Sequence, residues 1–268
     1  MTVASPTTTA AAPAADRRSM PSWLPGTLGI VALLVIWEII GRTVMADSKS
    51  VPPPTAILRQ LGKDGWGFYW PNASATLQEA GWGWLWGNGI AIVLAVVFVQ
   101  VPLIERALLQ LALVSYCVPV VAIGTMLVVL FEGQTPKVII AAMSVLFTTL
   151  ISMVVGLRSA DRTSLDLIKA YGGGSWIQLW KVRLRASLPS LFAGLRIAAP
   201  AAMLGAIIGE YLGAESGLGV AMINAQQAFN VDRTWGIALV STALSGAAYA
   251  LTALVGRLLT PWAPRVSS

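Results

Sequence analysis

Residues 136–156 read PKVIIAAMSVLFTTLISMVVG, and after Lys137 no charged side chain occurs until Arg158. A helix rises 1.5 Å per residue, so about 20 residues cross the roughly 30 Å hydrocarbon core of a bilayer. This stretch meets that length, and it reads as a membrane-spanning helix. Working outward, five more runs meet the same test: about 24–44, 79–101, 106–131, 190–213 and 234–260. Composition agrees. The chain is 56% hydrophobic and 11% charged, with a mean hydropathy of +0.72, whereas a soluble domain carries about 25% charged residues. The expectation is an all-α integral membrane protein with six transmembrane helices.

Organisation follows from the runs and what separates them. Residues 1–20 are rich in Ala, Thr and Pro; they have too little apolar surface to pack and are expected to be a disordered tail. Residues 21–264 are expected to be the transmembrane domain. No small-residue cleavage site follows Ile40, so the first run is expected to stay as a span rather than leave as a signal peptide. Pro119 predicts a kink or break in the third run, and Pro200 lies inside the fifth. After Pro52-Pro53-Pro54, residues Thr55 to Leu61 place Ile57, Leu58 and Leu61 to form a helix lying at the interface.

The formal net charge is +6. With the N-terminus in the cytoplasm, eleven Lys and Arg fall on the inner side and six on the outer. That bias predicts both termini inside and accounts for the charge by topology rather than nucleic acid. The chain has no histidine and one cysteine, Cys117. Internal disulfides, zinc centres and Ser-His-Asp triads are thereby excluded, and Cys117, in an apolar stretch, reads as a small buried hydrophobe. No phosphate-cradling G-x-x-x-x-G-K-[ST] occurs; Gly62-Lys63-Asp64 lacks the upstream glycine and the hydroxyl residue. No metal, cofactor or catalytic residue is expected on this chain.

Six of the inner charges fall in the segment 157–189. Ser164 is expected to cap a helix through Ile168 and Tyr171. Gly172-Gly173-Gly174 ends it, because glycine tolerates the left-handed backbone that closes a helix. Ser175 is expected to cap a second short helix, with Trp176, Leu179, Trp180 and Arg183 along one face and Pro189 marking the start of span five. Aromatic knobs with cationic flanks suit either a groove on a partner protein or the lipid interface.

The run from Asp166 through Gly172 to Val182, Leu184 and Arg185, followed by Ser187-Leu188-Pro189, resembles the cytoplasmic EAA loop of ABC importer permeases. Gly172 and its spacing to Val182 and Leu184 match. Asp166-Leu167-Ile168 stands where the motif has Glu-Ala-Ala, and Arg185 where it has proline. Trp37-Glu38, Pro53-Pro54-Thr55, Leu103 through Arg106, Gly156-Leu157-Arg158, Gly209-Glu210-Tyr211-Leu212 and Gly217-Leu218-Gly219 are similar, in order and spacing, to permeases of the nitrate, sulfonate and taurine type. The resemblance implies a type I importer-like fold and an inner-membrane location. It implies a permease dimer, two cytosolic ATPase subunits that carry ATP and Mg²⁺ and dock at the glycine loop, and an extracytoplasmic solute-binding protein. The coupling residues carried over are Asp166, Gly172, Gly173, Gly174, Trp176, Leu179, Trp180, Val182, Leu184 and Arg185. The substrate implied is a small organic solute or anion of the sulfonate, taurine or nitrate class, with pyrimidine or thiamine precursors as the alternative. No Lys or Arg lies near a span centre, which favours a neutral or zwitterionic solute.

Three acids fall within the expected spans. Glu38 is placed to pair with Arg42 one turn on. Glu79 lies at a span end and is expected at the interface. Glu210 follows Gly205-x-x-x-Gly209, a small-residue face that permits close helix approach, as does Gly83-x-x-x-Gly87. Glu210, Glu38 and Arg196 are the candidates for the translocation pathway. Trp66, Trp70, Trp82, Trp84 and Trp86 read as an aromatic belt. A secondary transporter would need internal repeats and intramembrane ion-coupling groups; no clear repeat is evident, and it would leave the large inner loop unexplained. A membrane enzyme is disfavoured by the missing histidine and scarce paired acids.

Overall fold

The structure is a computed structural model that describes residues 24–45, 50–101, 110 and 119–262. The expected tail, Cys117, Arg106 and most of the third span lie outside the described residues. The chain divides into two compact units, Met1–Pro54 and Thr55–Ser268. The first contributes helix α1, Leu24–Arg42, an apolar helix on which Glu38 accepts from Arg42 Nε at 2.5 Å.

The second unit is a helical bundle. Its elements are α2 (Pro54–Gln100), α3 (Val120–Leu130), α4 (Thr135–Arg158), α5 (Arg162–Ala170), α6 (Ser175–Gln178), α7 (Leu184–Gly213), α8 (Leu218–Gln227) and α9 (Val231–Leu259). Among the described residues, five helices are long and apolar enough to cross a membrane: α1, α2, α4, the continuous Ser175–Gly213 stretch, and α9. The apolar helix α3 is the described part of the expected third span.

The expected interfacial helix 55–61 and the span from 79 are one element. Helix α2 runs from Pro54 with a break at Gly65, where φ is 68°. Only that residue leaves helical geometry, so the chain turns there and continues.

Helix α4 sits at the centre, and small residues explain why. A Cβ on Gly87 of α2 would come within 2.8 Å of Ala142 Cα, and one on Gly205 of α7 within 2.8 Å of Ala141 Cα. Both small-residue faces anticipated from sequence therefore seat their helices against α4, backbone to backbone. Three apolar clusters stack along the bundle. The first joins Ala91, Ala95 and Phe98 to Leu150, Met153, Leu157 and Leu179. The second joins Ala80 to Ala141, Val145, Ala198, Ala202 and Met203. The third, at the end remote from residues 157–189, joins Tyr69 and Ala73 to Leu218, Ala221, Ala225 and Ile237.

Candidate functional site

Two features stand out in the second unit: the glycine loop at one end and a buried polar cluster at the other.

In the loop, α5 is capped by Asp161, not Ser164. Ser164 N–H donates to the Asp161 carboxylate at 2.9 Å, and the Ser164 hydroxyl donates to the same oxygen at 3.1 Å. These two bonds hold the Asp161 carboxyl below its ordinary range. A carboxylate reaches the exposed amides of the first turn better from the extended residue ahead of the helix than a serine inside it can. The far end of α5 closes as a Schellman motif. Gly173 N–H donates to Ile168 O at 2.8 Å and Gly172 N–H to Lys169 O at 2.9 Å, with Gly172 at φ 80°. A Cβ on Gly173 would meet Ile168 O at 2.9 Å. The two glycines thus do different jobs: one takes the left-handed backbone, the other gives clearance.

The second helix starts from Gly174 rather than Ser175, and it is not a separate short helix. It passes through a π-helical turn, Leu179–Arg183, into α7. The wider turn breaks the single face expected for Trp176, Leu179, Trp180 and Arg183. Leu179 is 1% exposed and packs in the first apolar cluster, while Trp176 and Trp180 stand 62% and 66% exposed. Tyr171, at 85%, and Leu167 extend the exposed apolar surface onto α5. Arg183 reaches back to Leu157 O at 3.5 Å. Val182 and Leu184 are half-buried, and Asp166, Arg185 and Gly174 are exposed. The loop is rooted by Leu179 and presents its tryptophans outward.

At the other end, Glu210 of α7 is 1% exposed. Its Oε1 accepts from the Thr76 hydroxyl at 2.6 Å, and its Oε2 accepts from Gly219 N–H at 2.5 Å. Leu218 N–H donates to Thr76 Oγ1 at 2.9 Å, and Gly217 N–H to Asn72 Oδ1 at 3.3 Å. The first amides of α8, which have no partner within their own helix, are therefore received by side chains of α2 and α7. Gly217, at φ 129°, and Gly219 leave the room that the Glu210 carboxylate fills. Beside it, Glu79 is paired with Lys137 Nζ at 2.9 Å, the two side chains 1% and 7% exposed. Glu79 is thus buried within the bundle, where Lys137, at the start of α4, reaches it. Nearby, Arg233 grips Asp64 through Nε at 3.0 Å and Nη2 at 2.5 Å and lies 5.0 Å over the Phe68 ring.

A family model described as "Binding-protein-dependent transport system inner membrane component" matches residues 87–264. The chain belongs to that family. A probable ABC transporter permease protein of Haemophilus influenzae is 31% identical, over 80% of this chain and 87% of its own length. The riboflavin transport system permease protein RibX of Chloroflexus aurantiacus is 31% identical, over 89% of each chain. The formylaminopyrimidine transport permease protein ThiX of Halalkalibacterium halodurans is 27% identical, over 89% of this chain and 96% of its own.

The chain is accordingly a membrane permease subunit of a binding-protein-dependent ABC importer, and not an enzyme. ATP hydrolysis lies on a separate ATPase subunit, and the family implies a solute-binding protein as a further partner.

Of the residues singled out as pathway candidates, Glu210 is enclosed by the α8 cap, Glu38 is engaged by Arg42, and Arg196 is exposed on α7. Sequence reading did not find Thr76, Asn72 or the pairing of Lys137 with Glu79. The available signal was the interval between Glu210 and Gly217-Leu218-Gly219, which brings the Gly219 amide back onto the carboxylate. Of the tryptophans, Trp66 and Trp70 stack at 5.1 Å and Trp82 and Trp86 are exposed. Trp84 turns inward and donates to Leu195 O at 3.3 Å.

Proposed function

We propose that the permease couples to its ATPase through the surface formed by Leu167, Tyr171, Trp176 and Trp180. The carrying observation is that two tryptophans and a tyrosine stand exposed around a glycine closure whose root, Leu179, is locked in the core. Large rigid aromatics with cationic flanks are the side chains that dominate protein–protein contacts, and a rooted loop transmits displacement to the helix it continues into. In this reading the loop end faces the cytoplasm, both termini lie there, and two copies of the chain pair around a central pathway. Arg196, exposed on α7, remains a candidate for its lining. ATP and Mg²⁺ stay on the partner.

The substrate in this proposal is a neutral or zwitterionic organic nutrient, closer to a pyrimidine or flavin than to an inorganic anion. Among the described residues Lys137 is the one buried Lys or Arg, and it is already neutralised by Glu79. Two similar permeases carry names of neutral heteroaromatic nutrients. A sulfonate or taurine solute is the competing outcome. Two assays test the reading. Co-purification of the ATPase should fail for Trp176→Ala/Trp180→Ala and persist for wild type; equal recovery would refute the docking surface. A thermal-shift panel on the cognate binding protein should respond to pyrimidines or flavins; a response confined to sulfonates, taurine or nitrate would refute the substrate class.

A further inference from the structure

Two helices of the chain close in the same way with different residues. Phe229 N–H donates to Gln226 O at 3.0 Å and Asn230 N–H to Ala225 O at 2.9 Å. This is the pair of bonds that closes α5 at Gly172 and Gly173, and it calls for a left-handed residue at the helix end. Gly172 takes that backbone at φ 80°, whereas α8 ends on Phe229 at φ 54°. Among the described residues, Phe229 is the one non-glycine residue with a positive φ. A bulky side chain there is strained, because its Cβ crowds the following carbonyl. The ring does not offset the strain by packing, since Phe229 is 90% exposed. The mounting is nonetheless firm. Asn230, next in the chain, accepts from Arg233 N–H at 3.1 Å and caps α9. At its other end α8 is seated by Thr76 and Glu210. Folding of the bundle would be served better by glycine here, as at Gly172, and strained residues that a fold retains cluster at contact sites.

The surroundings of the ring point to its partner. Asn224, Gln226 and Gln227 are exposed on the last turns of α8 beside it. Under the same link between α8 and α9 lies a recess of about 160 Å³ lined by Phe68, Asn72, Glu215, Asn224 and Arg233. Arg233 spends Nε and Nη2 on Asp64, which leaves Nη1 for an acceptor entering the recess. Lipid tails would leave these amides and charged groups unmet. A protein can offer an apolar pocket to the ring and hydrogen-bonding groups to the recess, the anatomy of an interface anchor with a polar rim. In the orientation given above, on which this assignment rests, this end of the bundle is the outer face. We propose that Phe229 and the adjoining recess form the docking surface for the solute-binding protein. Phe229 is the anchor, and Arg233 Nη1 and the Asn224 amide receive an acceptor group of the partner.

Phe229→Asn is the test, because asparagine tolerates the left-handed backbone and lacks the ring. The permease–ATPase complex in nanodiscs is titrated with the cognate solute-binding protein on a biosensor, and its melting temperature is recorded alongside. Phe229→Asn should weaken binding about tenfold or more, through faster dissociation. It should melt at or above the wild-type temperature and still co-purify with the ATPase. Wild-type affinity in Phe229→Asn overturns the proposal, and so does a lowered melting temperature, which would show that the ring serves the bundle. A second variant reads the contact itself. With Cys117→Ser in place, a photoreactive probe on Phe229→Cys should capture the solute-binding protein. Capture of lipid or of a second permease copy instead overturns the docking surface while leaving the ATPase contact at the glycine loop standing. Capture of the ATPase overturns the orientation on which both readings rest.

Discussion

Removing Lys137 is the sharpest test of the bundle's polar interior. Lys137→Met keeps the length and apolar stem of the side chain while deleting the charge. At 2.9 Å, two unit charges attract by about 6 kcal/mol at an effective dielectric constant of about 20. Much of that is offset by the cost of stripping water from both ions. Removing one partner leaves the desolvated Glu79 unpaired, and such losses amount to about 3–5 kcal/mol. For a chain of this size the shift in unfolding temperature is on the order of 10 °C. The assay is thermal unfolding of the purified permease in a fixed detergent, followed by tryptophan fluorescence. Glu79→Gln introduced on top of Lys137→Met should recover most of the loss, because the amide needs no counter-ion. A Lys137→Met protein that melts within about 0.5 kcal/mol of wild type, the scale of an ordinary surface change, would show that the pair is not desolvated and that the reasoning is wrong.

Further outcomes follow from the same geometry. Gly87→Ala places a methyl carbon within 2.8 Å of the α4 backbone at Ala142 Cα, so α2 must move off α4; unfolding should show a loss of about 1–3 kcal/mol. Thr76→Val deletes the hydroxyl between Leu218 N–H and Glu210, and hydrogen exchange of the α8 amides should accelerate while those of α4 stay unchanged. Asp161→Asn should leave α5 protected at all pH values. In wild type that protection is present at neutral pH, where the carboxylate is ionised, and is lost as pH falls through the lowered folded-state value; amide exchange at Leu165 and Asp166 against pH reads both. Gly172→Val forces a β-branched residue into φ 80°, a strain of about 1–3 kcal/mol. It should uncouple ATPase activity from transport before it lowers the melting temperature of the bundle.

The extent to which these features were legible in the chain follows from the range of the interactions. Spans α4 and α9 were legible because a bilayer demands a long uncharged run, and hydropathy alone reports it. The closure at Gly172 was legible because a left-handed residue at a helix end selects glycine locally. Gly83, Gly87, Gly205 and Gly209 were legible as faces, but their shared partner, α4, was not, since nothing in a small-residue motif names what it meets. The π turn at Leu179–Arg183 was missed because it changes which residues share a face without changing any residue. The caps at Asp161 and Gly174 lie ahead of the serines first chosen, a choice that depends on backbone extension just before the helix. The Glu79–Lys137 pair and the seating of α8 by Asn72, Thr76 and Glu210 join residues far apart in the chain, and only the packed bundle brings them together.

The central claim is that the rooted glycine loop is the ATPase contact, and cross-linking measures it directly. With Cys117 replaced by serine, a single cysteine at position 176 or 180 is labelled with a photoreactive probe in membranes carrying the full transporter. The account predicts a cross-link to the ATPase subunit from both positions, and none from a cysteine at position 215, beyond the opposite end of α7. Cross-links from positions 176 and 180 only to lipid or to the permease itself, with the ATPase captured elsewhere, would contradict it.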